Sequence, residues 1–180
     1  SNLGIILQNL GRLKDAELSY RKAIEIKPDL AEAHSNLGNI LKDIGKLEKA
    51  ELSYRKAIKI KPDYANSYSN LGIILQNLGR LKDAELSYRK AIEIKPDLAE
   101  AHSNLGLILK NQGNLHGAEL SCRKAIEIKP DYAEAYSNLG IILRDLGNLK
   151  EARLCSEEIM SIRPWSILGS YSFNREMKLD

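Results

Sequence analysis

Asparagine recurs along this chain at a fixed interval. An asparagine amide both donates and accepts hydrogen bonds, so a series of them could pair with the backbone of an extended peptide while ignoring its side chains. The same amides could instead bond neighbouring helices of their own chain, and the sequence leaves both roles open. The series has a spacing of 34 residues and consists of Asn2, Asn36, Asn70, Asn104 and Asn138.

The histidines are candidates for catalysis or metal binding, but their positions argue against both roles. His34 and His102 occupy the place that Tyr68 and Tyr136 take elsewhere in the series, so we expect them to pack between helices. They are two intervals apart, which at roughly 8 to 10 Å per packed helix is too far for one metal ion. His116 is expected to face solvent.

The two cysteines, Cys122 and Cys155, have no metal-ligand spacing, and we expect both to be small apolar core residues. Enzymes gather a few irreplaceable groups in one pocket, whereas polar residues here are repeated along the chain. The sequence therefore predicts no catalytic residue, no metal and no cofactor.

The charge pattern limits the class of partner. The 180 residues carry a net charge of +3, and acidic and basic residues are interleaved, so no basic stripe for nucleic acid is present. No apolar run approaches the roughly 18 to 20 residues needed to cross a bilayer. We expect a soluble, cytoplasmic protein with no nucleic-acid or membrane partner.

These residues are positioned by a 34-residue repeat. Residues 1–38 recur identically as 69–106, and prolines stand at 28, 62, 96, 130 and 164. Each repeat contains two amphipathic patterns that predict helices, for example over 31–44 and 47–60. Gly45 between them is expected to adopt a left-handed turn, and Gly38 inside the first helix predicts a close approach of the second. Asp29 with Glu32 has the spacing of a capping box, which predicts an aspartate cap on the next helix.

This pattern resembles the tetratricopeptide repeat family. The signature positions in the second repeat are His34, Leu37, Gly38, Leu41, Ala50, Tyr54, Ala57 and Pro62. The resemblance implies an all-α, right-handed α-solenoid of helix-turn-helix repeats. It covers 1–164 as five repeats: a truncated one at 1–30, then 31–64, 65–98, 99–132 and a divergent last one at 133–166. In the last repeat Ser156 replaces the core aromatic and Ile159 the small alanine, so its second helix is expected to pack differently. Residues 165–180 leave the pattern and form either a cap or the start of a further domain.

The resemblance also implies a binding groove lined by the first helix of each repeat. The asparagine series is similar to the ladder in the repeat arm of O-linked N-acetylglucosamine transferases. Serines 35, 69, 103 and 137 are expected beside it, and the surface is expected to carry a modest positive charge. The remaining predicted groove residues are Asn39, Ile73, Leu107, Ile141, Lys42, Gln76, Lys110, Arg144, Asp43, Asn77 and Asn111.

The expected function is a non-catalytic scaffold that binds a protein or an extended peptide in this groove. Two alternatives stay open: a substrate-recruiting arm of a larger enzyme such as a glycosyltransferase, and a structural module that self-associates end to end through its apolar first helix. RNA binding is disfavoured by the balanced charge. The family's carboxylate clamp needs basic residues at particular groove positions, and here those positions hold Ser, Ile and Glu or Asn. Tight binding of a C-terminal carboxylate is therefore not expected.

Overall fold

The computed structural model describes residues 2–162, and within that range the chain forms ten α-helices and no β-strand. The predicted cap or further domain at 165–180 lies outside the described residues. The helices are α1 Asn2–Asn9, α2 Leu13–Ile26, α3 Ala31–Asp43, α4 Leu47–Ile60, α5 Ala65–Asn77, α6 Leu81–Ile94, α7 Ala99–Asn111, α8 Leu115–Ile128, α9 Ala133–Asp145 and α10 Leu149–Ile162. None of these helices is long and apolar enough to span a membrane.

The chain forms two compact units, Ser1–Asp97 and Leu98–Asp180. The N-terminal unit contains α1 to α6, in which each odd-numbered helix packs on the even-numbered helix that follows it. Successive hairpins of this unit pack through α2 on α3 and α4 on α5, and α3 lies beside α5. The C-terminal unit repeats the arrangement with α7 to α10, and α7 lies beside α9.

A glycine in the left-handed region joins the two helices of each hairpin, as the sequence predicted. Gly45 has a φ of 77°, a value that residues with a Cβ adopt only with strain. Around it, the amide of Lys46 donates to the carbonyl of Leu41 at 2.8 Å and the amide of Gly45 to that of Lys42 at 2.9 Å. These two bonds form a Schellman motif, which satisfies carbonyls at the end of α3. They also end α3 at Asp43, one residue before the predicted boundary.

The other glycine of the repeat lies where the two helices of a hairpin come closest. A Cβ on Gly38 would stand 2.7 Å from Cε1 of Tyr54, a distance that packed atoms do not tolerate. The Tyr54 ring is fully buried there, with Ala50 and Ala57 one turn to either side. Glycine in the middle of α3 therefore makes room for a tyrosine on α4, which confirms the close approach predicted from the sequence.

The aspartate caps predicted from the sequence are wrong. The N-cap of α3 is Leu30 and makes no side-chain cap bond, because Asp29 lies one residue too early to reach the first free amides. The later first helices are the same, with N-caps at Tyr64, Leu98 and Tyr132. The helix start is held by backbone bonds instead, including one from the amide of Ala33 to the carbonyl of Leu30 at 3.0 Å.

Ion pairs on the second helices also join neighbouring hairpins. Glu51 accepts from Arg55 at 2.8 Å within α4 and from Arg80 at 2.9 Å, the N-cap residue of α6 in the next hairpin. Glu17 likewise accepts from Arg21 at 2.8 Å and from Lys46 at 3.4 Å. The i to i+4 spacing in the sequence predicted the local pairs, whereas the bonds between repeats follow only from the packing.

The second helix of the last repeat packs differently, as expected. Cys155 is 5% exposed and Ser156, which stands at the tyrosine position, is exposed. Cys122, which stands at the tyrosine position of the previous repeat, is fully buried. Both cysteines are free and buried, which confirms their assignment to the core.

Candidate peptide-binding surface

The residues predicted to line a groove lie on the first helix of each hairpin. We call their surface the first-helix surface. It lies on α3 and α5 in the N-terminal unit and on α7 and α9 in the C-terminal unit, while Asn2 begins α1 and its side chain is outside the described part. The half-buried members are Asn36, Asn39, Lys42, Asn70, Ile73, Gln76, Asn104, Leu107, Lys110, Asn138 and Ile141, and the exposed members are Asp43, Asn77, Asn111 and Arg144.

The asparagine series makes bonds between repeats at two of its members. Nδ2 of Asn70 on α5 donates to Oδ1 of Asn39 on α3 at 3.1 Å. Nδ2 of Asn138 on α9 donates to Oγ of Ser103 on α7 at 3.0 Å. Asn36 makes no side-chain hydrogen bond within residues 2–162. The structural role that the sequence left open therefore applies to Asn70 and Asn138, each of which retains its Oδ1 outside these bonds.

Buried tyrosines hold two of the surface amides, a connection that the sequence analysis missed. The Tyr54 hydroxyl donates to Oδ1 of Asn39 at 2.7 Å, and the Tyr88 hydroxyl donates to Oε1 of Gln76 at 3.2 Å. Burial of the ring raises the pKa of Tyr54, so its hydroxyl keeps its proton and remains a donor. The sequence did carry a signal for this connection, because residue 39 is asparagine where the other repeats have Ile or Leu.

Two of the three basic side chains on the first-helix surface lie near a carboxylate, and the third is Arg144. Nζ of Lys42 lies 3.7 Å from Oδ1 of Asp43, whose Oδ2 also accepts from Gln8 at 3.3 Å. Nζ of Lys110 lies 3.7 Å from Oδ2 of Asp145. Asp43 follows Lys42 in the sequence, whereas Asp145 belongs to the repeat after that of Lys110, so only the packing shows the second contact.

The predicted serine lining is wrong for three of its four members. Ser35, Ser69 and Ser103 are 3%, 4% and 1% exposed. Ser35 and Ser103 lie where adjacent first helices pack. Ser35 accepts a bond from Ser67 at 3.0 Å in this contact. Ser137 alone of the four is exposed.

The histidines are packing residues or solvent-facing, as expected. His34 is 8% exposed, and its Nε2 lies 2.9 Å from the carbonyl oxygen of Pro28, to which it donates. His102 is half-buried and His116 is exposed. Among the residues that the structure describes, no group of three or more His, Cys, Asp or Glu side chains is arranged to hold a metal ion.

Comparisons with solved structures find the same fold. MamA aligns with a TM-score of 0.79 at 24% identity, over 93% of this chain and 98% of MamA. YrrB, described as a TPR protein with an unusual peptide-binding site, aligns with a TM-score of 0.72 at 24% identity, over 96% and 89%. PilW, a type IV pilus biogenesis factor, aligns with a TM-score of 0.82 at 23% identity, over 90% and 75%. At these identities the likeness shows the fold alone.

Family models extend the comparison to the sequence itself. A search of curated protein sequences finds no match for the chain. A TPR repeat model matches residues 4–45, 38–79 and 77–113, and two tetratricopeptide repeat models match 99–132 and 121–154. These matches cover most of the ten helices, and the fold is an all-α solenoid of helical repeats. The chain therefore belongs to the tetratricopeptide repeat family.

Proposed function

We propose that this chain is a non-catalytic protein-interaction scaffold that binds an extended segment of a partner protein along the first-helix surface. The observation that carries the proposal is the repetition of half-buried amide and aliphatic side chains at matching positions of successive first helices. A surface of this kind offers hydrogen bonds to a peptide backbone and apolar contacts to its side chains.

Hydrogen bonds from buried tyrosines hold two amides of this surface in place before a ligand binds. Asn39 and Gln76 are held by tyrosine hydroxyls at 2.7 and 3.2 Å, so little side-chain entropy remains to be lost when a ligand binds. Asn36 offers both its donor and its acceptor to a ligand. Ile73 beside these amides is half-buried and supplies apolar area.

The compensated charges favour recognition of the ligand through hydrogen bonds and apolar contacts. Lys42 and Lys110 each lie 3.7 Å from a carboxylate, which weakens the long-range attraction that a basic groove would exert. The peptide-binding site named for YrrB supports a peptide ligand for this fold. The asparagine series is also similar to the ladder in a glycosyltransferase arm. In that alternative, the same surface would recruit substrates for a larger enzyme.

The proposal is tested with an array of hexapeptides probed with the purified chain and two matched variants. Ile73→Lys places a charge on the first-helix surface of α5. Leu86→Lys places the same charge on α6, where the leucine is 67% exposed. We expect Ile73→Lys to weaken binding of the selected peptides at least tenfold and Leu86→Lys to leave it unchanged. Equal effects of the two variants, or an array without bound peptides, would contradict the proposal.

A further inference from the structure

The last hairpin of the C-terminal unit contains a cavity on the face that, in earlier repeats, lies against the following hairpin. The cavity measures ≈410 Å³ and lies between α9 and α10, beside Gly140. In the earlier hairpins the corresponding glycine is in contact with a buried tyrosine or with Cys122. Here Ser156 stands at the tyrosine position and is exposed, and the nearest atom to a Cβ on Gly140 would be Cβ of Cys155 at 3.4 Å. The missing aromatic ring and the lack of a following hairpin within the described residues together leave this space open.

The charge pattern is reversed at the wall of the same cavity. Four successive second helices carry a glutamate bonded to an arginine four residues later, as in Glu51 with Arg55 at 2.8 Å and Glu119 with Arg123 at 2.8 Å. In α10 the order is Arg153 followed by Glu157, at 3.1 Å. Arg153 therefore occupies the position at which every earlier repeat has a glutamate, and it lines the cavity together with Arg144.

This reversal decides which kind of segment can lie against α10. In the N-terminal unit, the glutamate at this position accepts from a basic residue at the N-cap of the second helix in the following hairpin, as Glu51 does from Arg80 at 2.9 Å and Glu17 from Lys46 at 3.4 Å. An arginine repels such a basic residue and attracts an acidic one. The first hairpin of a second copy would present Arg12 here, so end-to-end stacking of two copies is disfavoured.

We propose that this cavity binds an acidic side chain flanked by an aliphatic one, from the same partner segment that lies on the first-helix surface. The inference rests on the proposed function and specifies one anchor of its ligand. The cavity is continuous with that surface, because Ile141 and Arg144 belong to both. Ile141 and Ile159 supply apolar contacts, and the two guanidinium groups supply donors that match a carboxylate.

The exposed hydroxyl of Ser137 adds a donor for a carboxylate. Ser137 lines the cavity, whereas the serines that correspond to it in three earlier repeats are buried. Ser156 also lines the cavity, but its hydroxyl donates to the carbonyl of Ala152 at 3.4 Å. A hydroxyl donates to an anionic oxygen as readily as it accepts from a donor. Arg144 is exposed and has no ion pair within the described residues, so its charge is available to a ligand.

The test uses the whole chain and two fluorescein-labelled probes. One is the tightest hexapeptide of the array that contains a single Glu next to Leu, Ile or Val, and the other is its twin with Gln in place of Glu. We expect the chain to bind the Glu probe at least tenfold more tightly at low salt, and this preference to shrink at high salt because the arginines are exposed. Arg153→Glu restores the residue of the other repeats and is expected to abolish the preference. Lys56→Glu, the same charge change at an exposed site on α4, is expected to leave it intact.

The outcomes separate this inference from the proposed function. If both probes bind equally, or if the array selects no Glu peptide, the cavity does not bind an acidic side chain, and the inference is wrong while peptide binding stands. A preference that survives both Arg153→Glu and Arg144→Gln would place acid recognition elsewhere and also overturn it. If the chain has the mass of a dimer in solution and Arg153→Glu changes that mass, a second copy occupies the cavity and the inference is wrong. Absence of any peptide binding would remove both proposals.

Discussion

Nδ2 of Asn70 donates to Oδ1 of Asn39 at 3.1 Å, and the same oxygen accepts from the hydroxyl of Tyr54 at 2.7 Å. One side-chain oxygen thereby joins the core of the second repeat to the first helix of the third. An asparagine that serves the packing in this way cannot be assigned to ligand binding from its spacing alone. The structural and binding contributions of the series must be measured separately, position by position.

Replacement of Asn70 by alanine should lower the stability of the N-terminal unit. The change removes one bond between repeats but leaves Asn39 bonded to Tyr54, so we expect a loss of about 0.5 to 1.5 kcal/mol. Asn36→Ala is the matched control, and it should change the free energy of unfolding by less than about 0.5 kcal/mol. Urea denaturation followed by circular dichroism measures both. Equal losses in the two variants would show that the bond at 3.1 Å contributes nothing.

Alanine at Gly38 should be destabilising, whereas alanine at Gly140 should not. The added Cβ at Gly38 would lie 2.7 Å from the Tyr54 ring, and overpacking of this kind costs about 1 to 3 kcal/mol. At Gly140 the nearest atom is 3.4 Å away, and the better helix propensity of alanine stabilises by up to about 1 kcal/mol. Thermal unfolding of the two variants should therefore shift in opposite directions. A shift in the same direction would mean that the ring at position 54 does not set the glycine requirement.

The Cys122 thiol should be unreactive in the folded chain at pH 8.5. Burial raises its pKa from the ordinary value of 9.0 to about 12, so almost no thiolate is present for alkylation. Iodoacetamide labelling followed by peptide mass analysis should show Cys122 modified only after unfolding in guanidinium chloride. Labelling of Cys122 in the native chain at the rate of a free thiol would contradict the burial of its side chain.

The same raised pKa predicts a pH dependence of stability. The folded state holds the thiol proton more tightly than the unfolded state, so the contribution of Cys122 is complete below pH 9.0 and falls as the pH rises toward about 12. The stability difference between the chain and Cys122→Ala should therefore decrease between pH 8 and pH 10.5. A difference that is constant over this range would rule out the coupling.

The sequence predicts the helices well because the repeat multiplies each local signal. The turn at Gly45 and the close approach at Gly38 were both predictable, since each follows from the conformational freedom of one residue. The cap at Asp29 was not, because a shift of one residue removes the carboxylate from reach of the helix amides. The spacing of 34 residues placed the asparagines at one position but could not show that Asn39 would accept from Asn70 in the next repeat.

The candidate site was less predictable than the fold for the same reason. Burial of Ser35, at 3% exposure, depends on how closely α3 and α5 pack, and the 34-residue pattern does not contain that distance. The cavity beside Ser156 likewise depends on which way α10 turns, since Cys155 rather than Ser156 enters the core. Contacts between repeats are set by packing, and they decide which polar groups remain available to a ligand.

The central claim, that a partner segment lies on the first-helix surface, is tested most directly by nuclear magnetic resonance of the asparagine side-chain amides. The labelled chain is titrated with the tightest hexapeptide of the array. We predict that the Nδ2 resonances of Asn36 and Asn70 shift in proportion to the bound fraction, while the backbone signals of the exposed Leu52 and Leu86 do not. Shifts confined to the residues around Leu52 and Leu86, with the asparagine amides unchanged, would contradict the claim.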